Sequence, residues 1–129
     1  MPGRLKAPAD CALRLCLVML LFLIALTGRA ADFRALVFSK TAGFRHASIP
    51  DGIAMVRQLG TNNNFAVDAT EDAGLFTDAN LSQYQVVIWL CTTGDVLDAN
   101  QQSAFERYIR AGGGYVGIHS ASDTEYSWP

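Results

Sequence analysis

Both histidines of the chain, His46 and His119, lie in short polar segments that follow apolar runs. The run Gly112-Gly113-Gly114-Tyr115-Val116-Gly117-Ile118-His119 reads as a glycine turn, a short buried strand and a sharp exit carrying an imidazole. In open α/β sheets, ligands occupy the crevice outside the carboxyl ends of the strands. Three polar segments are candidates to meet there: Ser39–His46, Thr92–Asp95 and His119–Asp123. Imidazole exchanges protons near neutral pH, so His119 is the candidate catalytic acid or base. It can equally bind a sugar hydroxyl or satisfy a loop carbonyl. His46, His119 and Asp123 together resemble the donor set of a catalytic metal site, in which three protein ligands accompany a water. The spacing leaves three alternatives open: a metal, a metal-free polar site, or structural histidines. No cofactor is indicated.

Arg45 suits a carboxylate or polar ligand, or is a solvated loop residue. Thr92 and Thr93 offer hydroxyls to a ligand, or cap the next turn. These residues, with His46 and Asp123, form the candidate substrate-binding set. Cys91 ends an apolar run with no basic neighbour in sequence, which favours packing over nucleophilic chemistry. Tyr126 and Trp128 can stack on a sugar ring or pack beneath the fold. Neither a G-x-G-x-x-G nor a Walker pattern is present, so nucleotide binding has no motif support.

The elements that must position these residues alternate. Phe33–Phe38 is a predicted first strand. Pro50 suits a first helical turn, and Ile53, Val56 and Leu59 recur at helical spacing from Asp51 to Leu59. Gly60 and Asn62–Asn64 are expected to end that helix. Phe65–Thr70 alternates as a second strand. Thr77 or Asp78 caps a short turn through Leu81. Val86–Cys91 is apolar throughout, as a central parallel strand should be. Asp98 with Gln101 forms a capping box. Phe105, Tyr108 and Ile109 mark the buried face of the helix that follows, and Tyr115–Ile118 is the fourth strand. This alternation predicts right-handed crossovers and a parallel sheet in an α/β protein.

The first thirty residues read differently. Arg4, Lys6 and Arg14 precede the 12-residue apolar run Leu15–Leu26, and Gly28 and Ala30 set small residues at a cleavage site. This is the pattern of a secretory signal peptide over 1–30, with a secreted or periplasmic destination. Twelve apolar residues fall short of the roughly 20 that a spanning helix needs, so no stable membrane span is expected after cleavage. An uncleaved anchor is the rival reading, because Arg29 weakens the site. Removal takes Arg4, Lys6, Arg14, Arg29 and Asp10 with it. Six basic against eleven acidic residues then remain, a net charge of −5. No basic patch is left for a nucleic-acid partner. Cys91 remains alone, so residues 31–129 hold no internal disulfide.

The segments Leu36–His46, Ala69–Asp72, Thr92–Leu97 and Gly112–Pro129 resemble the ThuA-like (trehalose-utilisation) family over about residues 33–129, in its exported bacterial branch. The resemblance implies the class I glutamine amidotransferase-like fold, a flavodoxin-like three-layer sandwich with a parallel sheet. In amidotransferases the corresponding turn carries a cysteine nucleophile. Here His119 occupies that elbow. Imidazole cannot form the thioester that amidotransfer needs, which disfavours glutaminase activity. The family's link to sugar metabolism implies a carbohydrate or keto-sugar ligand. Complete domains of this kind are about twice as long, so 31–129 is expected to be the N-terminal portion of one, with its C-terminal part missing.

Two functions follow as expectations. One is an exported domain acting on or binding a carbohydrate derivative, with His119 as acid/base. The other is a non-catalytic carbohydrate-binding or interaction module of a multidomain secreted protein, or an inactive fragment.

Overall fold

The computed structural model describes residues 30–128. The predicted signal peptide therefore lies outside the described residues, apart from Ala30. No helix among the described residues is long and apolar enough to cross a membrane.

Four strands form one sheet: β1 (Arg34–Phe38), β2 (Ala66–Thr70), β3 (Val86–Leu90) and β4 (Gly114–Ile118). Their order is β2-β1-β3-β4, and every pairing is parallel. Parallel neighbours need long crossovers. Here these contain α1 (Ile49–Asn62), α2 (Asp78–Leu81) and α3 (Ala99–Arg110).

The strand alternation divides the core in two. Leu36, Phe38, Val87 and Trp89 face Leu81 and the α3 residues Ala104, Phe105 and Tyr108. Val37, Leu90 and Cys91 face Ile49 and Val56 of α1, with Ile53 against them. This is a helix–sheet–helix sandwich, as the sequence led us to expect. Ala35–Phe38 are fully buried, which makes β1 the axis of both layers.

The local signals act as read. Thr77 Oγ1 accepts from Asn80 N at 3.2 Å. Asp98 Oδ1 accepts from Asn100 N and Gln101 N, while Gln101 Oε1 accepts from Asp98 N, completing the capping box.

Four expectations need correction. Gly60 does not stop α1, which runs on to Asn62. It is buried, and a Cβ there would lie 2.6 Å from Phe65 O and 2.9 Å from Val67 Cγ2. Gly60 thus takes the inward place expected for Leu59, which is exposed. Ile109 is likewise exposed, at the margin of the α3 stripe. β4 is not a buried strand: Tyr115 and Val116 are nearly half exposed. It lies outermost in the described sheet, and apolar composition alone does not bury a strand without neighbours on both sides.

Candidate active site

Strand order reverses between β1 and β3, since β1 leads outward to β2 while β3 leads outward to β4. A crevice opens at such a switch point, at the carboxyl ends of the strands. The three predicted loops meet there and are tied together through their backbones. Thr41 pairs with Thr93, and Gly94 with Thr124, both in parallel register. Ala42 N donates to Thr93 O at 2.7 Å, and Gly94 N donates to Asp123 O at 2.9 Å. These bonds continue the β1-β3-β4 order beyond the strands. Gly94 has φ +72, and a Cβ there would press on Ala42 and on Gly43 N, so the contact favours glycine.

The loop after β1 thereby crosses the end of β3 and brings His46 to His119. Their imidazoles meet edge to face with centroids 4.4 Å apart. Phe44 packs nearly perpendicular to His46, with centroids 4.9 Å apart. His119 opens a 3-10 turn (His119–Ser122) directly after β4 and holds φ +56. Left-handed backbone is sparsely populated by non-glycine residues, and it collects at functional turns. This is the sharp elbow anticipated from the sequence. Cys91 makes the equivalent turn after β3, at φ +53, but is buried.

The other candidate residues are placed as follows. The Arg45 guanidinium bonds Glu71 bidentately, at 2.9 and 2.7 Å, with both side chains about half exposed. That bond, with the Glu71 charge, raises the Arg45 pKa further above its usual value. Its fork is thus occupied by an internal carboxylate, an arrangement the sequence reading did not foresee. Thr92 is fully buried, with its hydroxyl 2.9 Å from that of Thr124. Thr124 can donate in turn to Ser120 O at 3.2 Å. Thr93 is also buried: its Oγ1 donates to Phe44 O at 2.9 Å and accepts from Gly43 N at 3.2 Å. Both threonine side chains are thus buried and hydrogen-bonded between the loops they brace. Asp123 is exposed and accepts a hydrogen bond from the Tyr126 hydroxyl. That bond, aided by desolvation and by the charges of Asp123 and Asp95, raises the Tyr126 pKa. Among the described residues no three His, Cys, Asp or Glu side chains are grouped to hold a metal ion. The set His46, His119 and Asp123 is therefore not assembled as a ligand triad. Trp128 packs against Phe105 and donates from Nε1 to Glu106, which places it with the core rather than at the crevice.

Three further residues shape this region without having been singled out from the sequence. Glu125 is buried, at φ +63. Its Oε1 accepts from Val96 N and Leu97 N, both at 2.7 Å, and its Oε2 accepts from Gln102 Nε2 at 2.6 Å. Lys40 Nζ donates to Val96 O at 3.0 Å, so the same peptide segment is held from two sides. Phe44 is the third, 72% exposed beside His46. No local signal marks Glu125 or Lys40, whose partners lie far along the chain. Phe44 was legible as an aromatic within a polar loop. Two hydroxyls at the strand ends, Ser39 Oγ and Ser120 Oγ, are buried with no hydrogen-bond partner among the described residues.

Comparison with known proteins accords with this architecture. A crystal structure of a ThuA-like protein from Bacteroides uniformis ATCC 8492 superposes with a TM-score of 0.65 at 26% identity. The match covers 79% of this chain and 42% of that one, so this chain spans less than half the length of its solved relative. Among curated proteins, none matches. The family model for ThuA, described as trehalose utilisation, matches residues 34–129. With that match over most of its length, the chain belongs to the ThuA family.

Proposed function

We propose that the carboxyl-edge site acts on a carbohydrate or keto-sugar derivative, with His119 as the acid/base group and His46 beside it as a ligand-binding partner. The observation that carries this reading is the His46–His119 contact at the strained elbow after β4. Maintaining a non-glycine residue in left-handed backbone costs of order 1–3 kcal/mol, and strain of this kind clusters at functional sites. A paired imidazole set can take a proton from one oxygen or acidified carbon of a ligand and return one to another. The family's description, trehalose utilisation, supports a sugar ligand. The leader-like composition of residues 1–30 supports work outside the cytoplasm.

The test is incubation of the full chain and of His119→Asn with trehalose and with a keto derivative of it, followed by mass spectrometry. A product formed by the parent and lost in the variant supports the reading. Equal turnover by the two proteins overturns it. Saturable sugar binding with no product by the parent replaces it with the non-catalytic binding module.

A further inference from the structure

We propose that Phe44 is the stacking platform of this site, and that its ligand is a neutral pyranose ring that lays a C–H face on the phenyl group while its hydroxyls reach His46 and His119. The inference rests on the carbohydrate reading above and adds the subsite that would recognise the ring.

Phe44 is among the most exposed large apolar side chains of the described residues, at 72%. Its exposure is enforced rather than the result of a loose loop. The carbonyl of Phe44 accepts from Thr93 Oγ1, and the preceding amide, Gly43 N, donates to Thr93 Oγ1 and Thr93 O. Thr93 is itself buried, at 2% exposure. On the following side, Arg45 is fastened to Glu71 by two hydrogen bonds. The peptide segment carrying Phe44 is thus held on both flanks, and the ring is presented to solvent from a braced position. Preorganised aromatic surface of this kind loses little conformational entropy on binding.

The ring's neighbours suggest what it would bind. Phe44 stands nearly perpendicular to His46, and His46 meets His119. An exposed phenyl ring and two imidazoles thus follow one another at the carboxyl edge of the sheet. A pyranose matches this pattern, with axial C–H groups on one face and hydroxyls around its rim. Aromatic rings bind such C–H faces through dispersion and burial of apolar area.

Charge argues for a neutral ligand. The loop's only planar bidentate cation, Arg45, already holds Glu71, so its fork is not free for a carboxylate or phosphate. Asp123 at the same edge adds negative charge. Tyr126 is also exposed there, but its hydroxyl is bound to Asp123 and it has no ring contact with either histidine.

The experiment is calorimetric titration of the full chain with trehalose and with methyl α-glucoside, for the parent, Phe44→Leu and Phe44→Trp. Melting temperatures are recorded alongside, and the exposure of Phe44 predicts little change in them. Phe44→Leu keeps an apolar side chain but removes the π face. It should weaken binding about ten-fold, while Phe44→Trp restores or exceeds parental affinity. Parental affinity in Phe44→Leu overturns the platform and leaves the carbohydrate reading standing. Absence of binding of either sugar by the parent at millimolar concentration overturns both.

Discussion

His46 and His119 pack edge to face, 4.4 Å between ring centroids, although one follows β1 and the other follows β4, with β3 between those strands. The contact exists because the loop after β1 is bonded across the end of β3 through Thr93. Burial of the two threonines and juxtaposition of the two imidazoles are therefore one structural event.

The elbow makes His119 separable into a backbone and a side-chain contribution. Asparagine tolerates left-handed φ, whereas a β-branched residue does not. His119→Asn should keep stability within about 0.5 kcal/mol of the parent and lose activity. His119→Val should lose activity and about 1–2 kcal/mol as well. Urea unfolding of the three proteins checks this, and equal stability for Asn and Val would contradict the strained elbow.

Glu125 should be the most sensitive polar residue of the site region. Truncation to Ala leaves Val96 N and Leu97 N without their buried acceptor. Unfolding free energy should fall by about 3 kcal/mol or more in Glu125→Ala, and by roughly half that in Glu125→Gln, which retains one acceptor oxygen. A loss below about 0.5 kcal/mol for Glu125→Ala would show that the carboxylate does not anchor this segment.

At the opposite edge of the sheet, Asp68 accepts from Arg34 Nη2 at 2.6 Å and from Tyr84 Oη at 3.0 Å. The Arg34 hydrogen bond is the main cause that lowers the Asp68 pKa, with the Tyr84 bond and the charges of Arg34 and Arg57 adding to it against desolvation. A carboxyl group whose folded pKa lies below its unfolded value contributes stability above the unfolded pKa. That contribution is lost as pH falls through the folded pKa. Asp68→Asn should therefore be less stable than the parent at pH 7, by under about 1 kcal/mol because both partners are nearly half exposed. The difference should close on acidification toward about pH 2. Denaturation midpoints across pH test it, and a gap that widens in acid would refute the assignment.

Gly60→Ala opposes two effects. Alanine gains about 1 kcal/mol of helix propensity over glycine. The added Cβ would stand 2.6 Å from the Phe65 carbonyl oxygen, a backbone atom that cannot rotate away. Overpacking of this kind costs about 1–3 kcal/mol, so the net effect should be a lower melting temperature. A rise would mean that α1 shifts freely over β2.

The sequence by itself determined the elements and their order, because those signals are local. The Asp98–Gln101 capping box, the Thr77 cap and the apolar run of β3 each lie within a few residues, and backbone geometry acts on them directly. Parallel connection then sends the segments after β1, β3 and β4 to one edge, which is why His46 and His119 were legible as neighbouring candidates there. The tertiary structure alone decided which side chains are free there. Arg45 is held by Glu71, Thr92 by Thr124, and Val96–Leu97 by Glu125, each across a separation that no periodicity reports. It also decided burial: Gly60 faces inward in place of Leu59, and β4 stays exposed despite its apolar residues. Burial depends on what packs against a residue, and that is a property of neighbours in space rather than of neighbours along the chain.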